Sequence, residues 1–333
     1  MKVLLDNKKP FFKANLHAHT TFSDGNLTPP KLKEIYKEKG YSVLAYTDHE
    51  HLIDNSHLND ENFLTITSAE LAVKEFPKQS TLVNYKMRVA HFNIYALNPS
   101  NTVTPCYSSV YDHYVTAENK HLIKFDWEYE RVYSKEGVNA LIKECKEKGF
   151  LVSYNHPTWS LENATDYLSY ENLDFVEIYN HSCCASGRPD DEHAFDDFLR
   201  SGKKIYCTCC DDNHNLGFPN PFKNDSFGGF TMINADKLDY GSIMSALQNG
   251  EFYASTAPLI YSLTIDGNKV SIETSPVKMI CLTTEGRRSN ATYATDENGV
   301  TKAEFEVDKK DGYFRITLID FEGKKAYTQA YEI

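Results

Sequence analysis

In the stretch "NLHAHTTFSDG", residues 15–25, His17 and His19 stand two apart and Asp24 follows just before Gly25. In an extended segment, residues two apart face the same way, so both imidazoles would face one point. Two neutral nitrogen donors aimed at one spot suit a divalent metal ion. A solvent-facing turn with two idle histidines is the alternative, and an H-x-H pair alone does not decide between them. Residues of the same chemical types recur along the chain: Asp48 and His49 in "TDH", Glu70 in "SAE", His91 in "AHFNIYAL", His156 in "NHP", and Asp212 with His214 in "DDNH". Imidazole combined with carboxylate is a donor set for zinc, manganese or iron.

Residues this far apart meet only if the fold carries them to one place. Short β-like runs at 11–17, 41–47, 62–68, 87–97, 150–155, 173–180 and 203–210 alternate with helical patterns at 28–40, 135–149 and 191–203. That alternation predicts an α/β fold with a mainly parallel sheet covered on both faces. Seven such strands suggest a closed barrel, in which strand carboxyl ends and the loops after them form one functional face. Six of the seven runs deliver His, Asp or Glu to that face. The histidines outside these positions (51, 57, 113, 121, 181 and 193) read as solvated or supporting. His181, just after "VEIYN", is the one nearest the site.

The ordered series "HAH", "SDG", "TDH", "SAE", "AHFNIYAL", "NHP" and "DDNH" resembles the PHP (polymerase and histidinol phosphatase) family over residues 12 to about 255. It looks most like the stand-alone metal-dependent phosphoesterases of that family. The resemblance implies a distorted seven-stranded (β/α) barrel with a small C-terminal antiparallel β domain, and a site of two or three divalent ions. Carried over by motif, one ion takes His17, His19, Glu70 and Asp212. Glu70 bridges to a second ion held by His91 and His156, and a third takes Asp24, His49 and His214. Glu70, Asp212 and His49 then stand closest to the chemistry. Some relatives have His where this chain has Asp24, which bears on the third ion. Asp211 departs from the small residue expected there and reads as supporting. The implied reaction is hydrolysis of a small phosphate ester, monoester or diester, by a metal-activated water. Arg188, Lys124 and His181 are the candidates for contact with substrate. A nuclease or nucleotide-trimming enzyme, and a non-catalytic metal-binding module, are the competing readings.

Composition narrows these classes. The 333-residue chain carries a net charge of −12, with 41% hydrophobic and 25% charged residues, which is ordinary for a globular protein. No basic stretch exceeds a pair or so, which argues against a long nucleic acid held by its phosphates. The apolar run in "MKVLLDNKKPFF" is too short for a signal-peptide core, and no run approaches a membrane span. A cytoplasmic protein is expected, with its eight cysteines reduced. A structural zinc built from Cys183, Cys184, Cys207 and Cys210 is conceivable, but "KIYCTCC" reads as a buried strand. The division expected is a phosphoesterase barrel over 1–257, interrupted by an aromatic-rich insertion at about 101–134, and a β domain over 258–333. The insertion could wall the substrate pocket or simply pack against the barrel.

Overall fold

The computed structural model describes residues 1–333 apart from the side chain of Pro221. Its first part runs β1 (Lys2–Leu5), β2 (Phe11–Asn15), α1 (Pro29–Glu38), β3 (Val43–Tyr46), β4 (Leu64–Lys74), β5 (Val89–Ala96), α2 (Lys135–Glu147) and β6 (Phe150–Tyr154). It continues with α3 (Ala164–Tyr167), β7 (Phe175–Asn180), α4 (His181–Ala185), α5 (Glu192–Arg200), β8 (Tyr206–Cys210), β9 (Phe230–Asn234), α6 (Tyr240–Asn249) and β10 (Phe252–Ser255). All seven strands expected between residues 11 and 210 are present, with trimmed or shifted ends. β3, β4, β5 and β6 are buried at every position, as continuous apolar runs covered on both faces require. The helices show their sequence signals. Ser134 caps α2 by accepting from Gly137 N at 3.0 Å, and α2 buries Val138, Leu141, Ile142 and Cys145.

The result is a mixed α/β fold on one large sheet. Its strands lie in the order β10-β9-β2-β3-β4-β5-β6-β7-β8. The steps from β2 to β4 and from β6 to β8 are parallel. β5 is antiparallel to both its neighbours. Residues 75–88 return the chain as a long hairpin, so no crossover helix sets a parallel direction. This corrects the placing of His91 at a strand's carboxyl end. It lies near the start of β5, opposite Ala72, and its carbonyl accepts from Asn155 N at 3.0 Å. Reversal of β5 carries His91 to the face where β6 ends.

A closed barrel is not confirmed, because the ladders form an open series from β10 to β8. The chain beyond β2 nevertheless meets the chain beyond β8. Ala18 and Asn213 form an isolated parallel bridge, Asp212 N donates to His17 O at 2.9 Å, and His19 N donates to Asn213 O at 3.0 Å. Among the described residues, no helix is long and apolar enough to cross a membrane.

The insertion holds two short 3₁₀ turns and carries the buried Arg131 near its end. Its guanidinium donates to both carboxylate oxygens of Glu50, at 2.6 and 2.5 Å, and to the carbonyls of Ala72 and Cys106. Tyr107 stacks on Phe125 at a centroid distance of 4.2 Å within the insertion. This pair serves packing within the insertion, whereas Tyr114 lines the cleft described below.

After β10 come β11 (Ile260–Asp266), β12 (Lys269–Val277), β13 (Met279–Thr284), β14 (Ser289–Tyr293), β15 (Val300–Glu306), β16 (Tyr313–Ile319), β17 (Lys325–Tyr327) and β18 (Tyr331–Glu332). β1, β11, β12 and β15 form a separate antiparallel sheet, while β17, β16, β13 and β14 extend the large sheet beyond β10. Leu263, Ile272, Ile280, Leu282, Phe314 and Ile316 share the core between them. Just beyond β17, the buried Gln329 side chain accepts from Cys207 N at 2.8 Å and donates to Cys207 O at 3.0 Å and Phe252 O at 3.3 Å. One amide group thus links β8 to β10 where backbone pairing is absent. Gln329→Ala leaves the Cys207 amide and carbonyl unpaired in an apolar setting, and is expected to destabilise the protein by about 3 kcal/mol. Urea unfolding checks this, and an unchanged midpoint would show that the seam is held by other contacts.

Candidate metal centre

The loop after β2 is fixed before any ligand is considered. Asn15 donates to His17 O at 3.0 Å and accepts from Asp211 N at 3.0 Å, tying the ends of β2 and β8 together. Asp48, fully buried, accepts from Thr20 N and Thr20 Oγ1, both at 2.8 Å, and from Ser23 N at 3.2 Å and Ser23 Oγ at 2.8 Å. It therefore clamps the loop that carries Asp24. Gly25 is demanded by close approach, since a Cβ there would lie 2.4 Å from the backbone of His19. Asp211 plays a matching part on the other side. It accepts from Tyr36 Oη at 2.7 Å and from the amides of Phe227, Gly228 and Gly229 at 2.8, 2.9 and 2.9 Å.

On this frame the nine residues expected as ligands converge. Glu70 is the hub. Its Oε1 lies 3.1 Å from His91 Nδ1, 3.3 Å from His17 Nε2 and 3.4 Å from His156 Nε2. Its Oε2 lies 3.1 Å from His49 Nδ1 and 3.5 Å from His19 Nε2. Asp212 Oδ1 lies 3.1 Å from both His17 Nε2 and His19 Nε2. Asp24 Oδ2 lies 3.5 Å from His49 Nε2 and 3.6 Å from His214 Nε2, while Asp24 Oδ1 lies 3.6 Å from His19 Nδ1. Three groups of donors have ligand atoms within 4.8 Å of one another: His17 with His19 and Asp212; Glu70 with His91 and His156; and Asp24 with His19, His49 and His214. His19 thus faces two groups, one with each ring nitrogen. No cysteine joins any such group among the described residues, and all eight cysteines are free.

The electrostatics follow from burial. Burial alone would raise the pKa of Glu70, but His91, His17 and His49 hold it well below the usual carboxylate range. Asp212 and Asp24 are likewise held low against their burial, Asp212 chiefly by His17 and Asp24 chiefly by His49. Burial dominates at His19 and His91 and lowers each to about 4. At His214, burial is overcome by Asp24 and Asp212, which raise it to about 10. The donor set fits divalent ions on a further observation. The Nδ1 atoms of His19, His49 and His91 are buried without a hydrogen-bond partner, although His49 and His91 face Glu70 oxygens at 3.1 Å. Such atoms are aimed around common points rather than at one another, as ligands of a shared ion are.

Supporting residues complete the site, and sequence reading missed them. Glu177 Oε1 lies 2.6 Å from His17 Nδ1, fixing that ring from behind, and its Oε2 accepts from His156 N at 3.0 Å. Asn155 donates to Glu70 Oε1 at 2.8 Å and Asn180 to Asp212 Oδ2 at 3.1 Å. The signal for Glu177 was present, as a lone charge inside the apolar strand "FVEIYN". Seven of the nine residues form the floor of an open cleft of about 650 Å³, which Tyr114, Trp159, Arg188 and Lys223 also line, while His17 and His19 are fully buried. Of the three expected substrate contacts, the structure brings only Arg188 to this cleft. Lys124 is exposed and turned toward Thr102 Oγ1 at 3.4 Å, and its backbone bridges to Val103 within the insertion. His181 opens α4 with its Nδ1 3.0 Å from Tyr179 Oη, and its ring packs so tightly on Gly228 that a Cβ there would lie 2.0 Å away.

No protein-family profile matches the chain, and no curated protein matches it. Among solved structures, it is similar to a two-domain protein from Bacteroides vulgatus containing a predicted PHP-like metal-dependent phosphoesterase. Identity is 15%, with a TM-score of 0.48 and coverage of 98% of this chain and 96% of that one. It is also similar to a protein from Bifidobacterium adolescentis assigned as a metal-dependent phosphoesterase, at 16% identity and a TM-score of 0.37, covering 64% of this chain and 91% of that one. An amidohydrolase from Chromobacterium violaceum, solved with sulfate and without metal, matches at 14% identity and a TM-score of 0.39, covering 60% and 87%.

Glu177 offers a test of the geometry alone. Glu177→Ala frees the His17 ring and is expected to weaken binding of the tightest divalent ion by about 10–100-fold. Competition with a chromogenic chelator measures this, and unchanged affinity would show that His17 is not a ligand.

Proposed function

We propose that the protein is a metal-dependent phosphoesterase that hydrolyses a small phosphate ester, on a distorted barrel of the PHP type. The observation that carries this reading is the convergence of three carboxylates and six imidazoles, seven of these nine side chains on the floor of one open cleft. The ordered motifs point the same way. Asp212 with His17 and His19 would hold one ion, and Glu70 with His91 and His156 a second. Asp24 with His49 and His214 would hold a third, with His19 alongside. Zinc, manganese and iron suit this mixture of donors. Such ions, when bound, supply an acidified water and offset the charge of phosphate oxygens.

The chain's own residues do the rest. Glu70 touches donors of all three groups, so it sets their spacing, and Glu177 and Asn155 hold it and His17 in register. Arg188 brings a fixed positive charge to the cleft, suited to a phosphate oxygen. Tyr114 and Trp159 wall the space in which the ester must lie. The size of the cleft and the absence of a basic track favour a small substrate over a polymer. Eight free thiols suit a reducing compartment, and we place the protein in the cytoplasm.

Protein stripped with chelator and reloaded with Mn²⁺ is expected to hydrolyse p-nitrophenyl phosphate or bis(p-nitrophenyl) phosphate. Glu70→Ala should fall to the rate of the stripped protein. Asp24→Ala should lose about one metal equivalent and keep the others, with activity reduced through weaker phosphate binding. Elemental analysis together with the two assays checks all three outcomes. Bound ions with no turnover of either ester would overturn the reading and leave an ion-binding module.

A further inference from the structure

The cleft changes character from floor to mouth. Above the ionisable floor stand two rings packed against ligand imidazoles. Trp159 lies 5.1 Å from His91 and 4.9 Å from His156 between centroids, and Tyr114 stacks on His49 at 4.7 Å. At the rim, two loops far apart in sequence contribute large apolar side chains to the same cleft: Leu82 from the β4–β5 hairpin, and Leu216 and Phe222 from the loop after β8. These are exposed to 92%, 74% and 96%. A single exposed leucine needs no explanation, but three large apolar side chains on the mouth of one cleft do. A wholly polar ester would leave them in water.

We infer that the ester hydrolysed here carries an apolar group, alkyl or aryl, on its alcohol side, and that Leu82, Leu216 and Phe222 cover that group. The inference rests on the phosphoesterase reading, because the phosphate end is what the floor receives. Arg188 and Lys223, which line the same cleft, suit that end and leave the apolar rim to the alcohol. The continuity of floor, rings and rim in one cleft favours this occupant over a second copy of the chain. The fit also has a size. The cleft of about 650 Å³ takes a group of several carbons beyond the phosphate, as a drug-sized ligand site does.

The test is calorimetric binding of methyl-, butyl-, hexyl- and octylphosphonate to Mn²⁺-loaded protein, which needs no turnover. Affinity is expected to rise up to about fourfold per methylene while the chain is being covered. It should come with a negative heat-capacity change. In the double variant L82S/F222S, both positions being exposed, the octyl-to-methyl affinity ratio should fall at least about tenfold. A flat series in the wild type, or a ratio unchanged in the double variant, would overturn the inference. So would a wild-type dimer that the double variant dissociates in sedimentation, since the rim would then be an interface between copies. A steep phosphonate series with no ester turnover would sink the phosphoesterase reading and keep the apolar rim. Turnover with a flat series would do the reverse.

Discussion

Three carboxylates, Glu70, Asp212 and Asp24, are brought together with imidazoles as their charged partners, and that is the constraint the rest of the structure answers. Glu70 and Asp212 are buried and Asp24 is half-buried. A buried carboxylate needs a counter-charge, and one buried without it would take up a proton instead. Imidazole neutralises carboxylate only by becoming charged itself, and the cluster splits on this point. His214 and His17 are pushed up, while His19 and His91 are pushed down. Ions shared among these groups would settle that conflict, with neutral imidazoles and ionised carboxylates throughout.

Holding such a cluster requires a second ring of buried polar groups, each fully occupied. Asp48 spends its oxygens on Thr20 and Ser23, Asp211 on Tyr36 and three backbone amides, and Glu177 on His17, His156 and Asn180. Further out, Glu50 and Arg131 form a buried bidentate pair that anchors the end of the insertion one residue beyond His49. Burial tends to raise the pKa values of Asp48 and Asp211, and the hydrogen bonds they accept oppose it. These carboxylates lie outside the three groups that could hold an ion. They fix the backbone turns from which the ion-facing residues project.

Much of this was legible in the sequence because strand ends are marked by abrupt changes of polarity. His17, His19, His49, His156, Asp212 and His214 each follow or end an apolar run, and the structure brings all of them to one place; Glu70, expected to end its strand, lies instead inside β4, which continues to Lys74, and still reaches the same place. Direction was not legible. Nothing in "MRVAHFNIYAL" says that β5 runs backwards; that follows from the hairpin at 75–88, a long connection without a helical period. Roles among like residues were equally hidden. Asp48 and Asp24 look alike in sequence, yet one clamps a loop and the other faces the cleft. Glu177 escaped notice because no motif marks it within the apolar run "FVEIYN". Lys124 was misplaced because an aromatic-rich insertion carries no periodicity from which its packing could be read.

The Gln329 amide that joins β8 to β10 has a consequence for how the chain is made. Its partner Cys207 lies 122 residues earlier. At a synthesis rate of about 5–20 residues per second, the two are separated by roughly 6–24 seconds on the ribosome. Throughout that interval β8 is a strand with one unsealed edge, rich in buried-type side chains. Such an edge invites pairing with another nascent chain. Sealing of the β8 edge by Gln329 is therefore late: it waits until β9 to β17, which lie between the two partners in sequence, have been made.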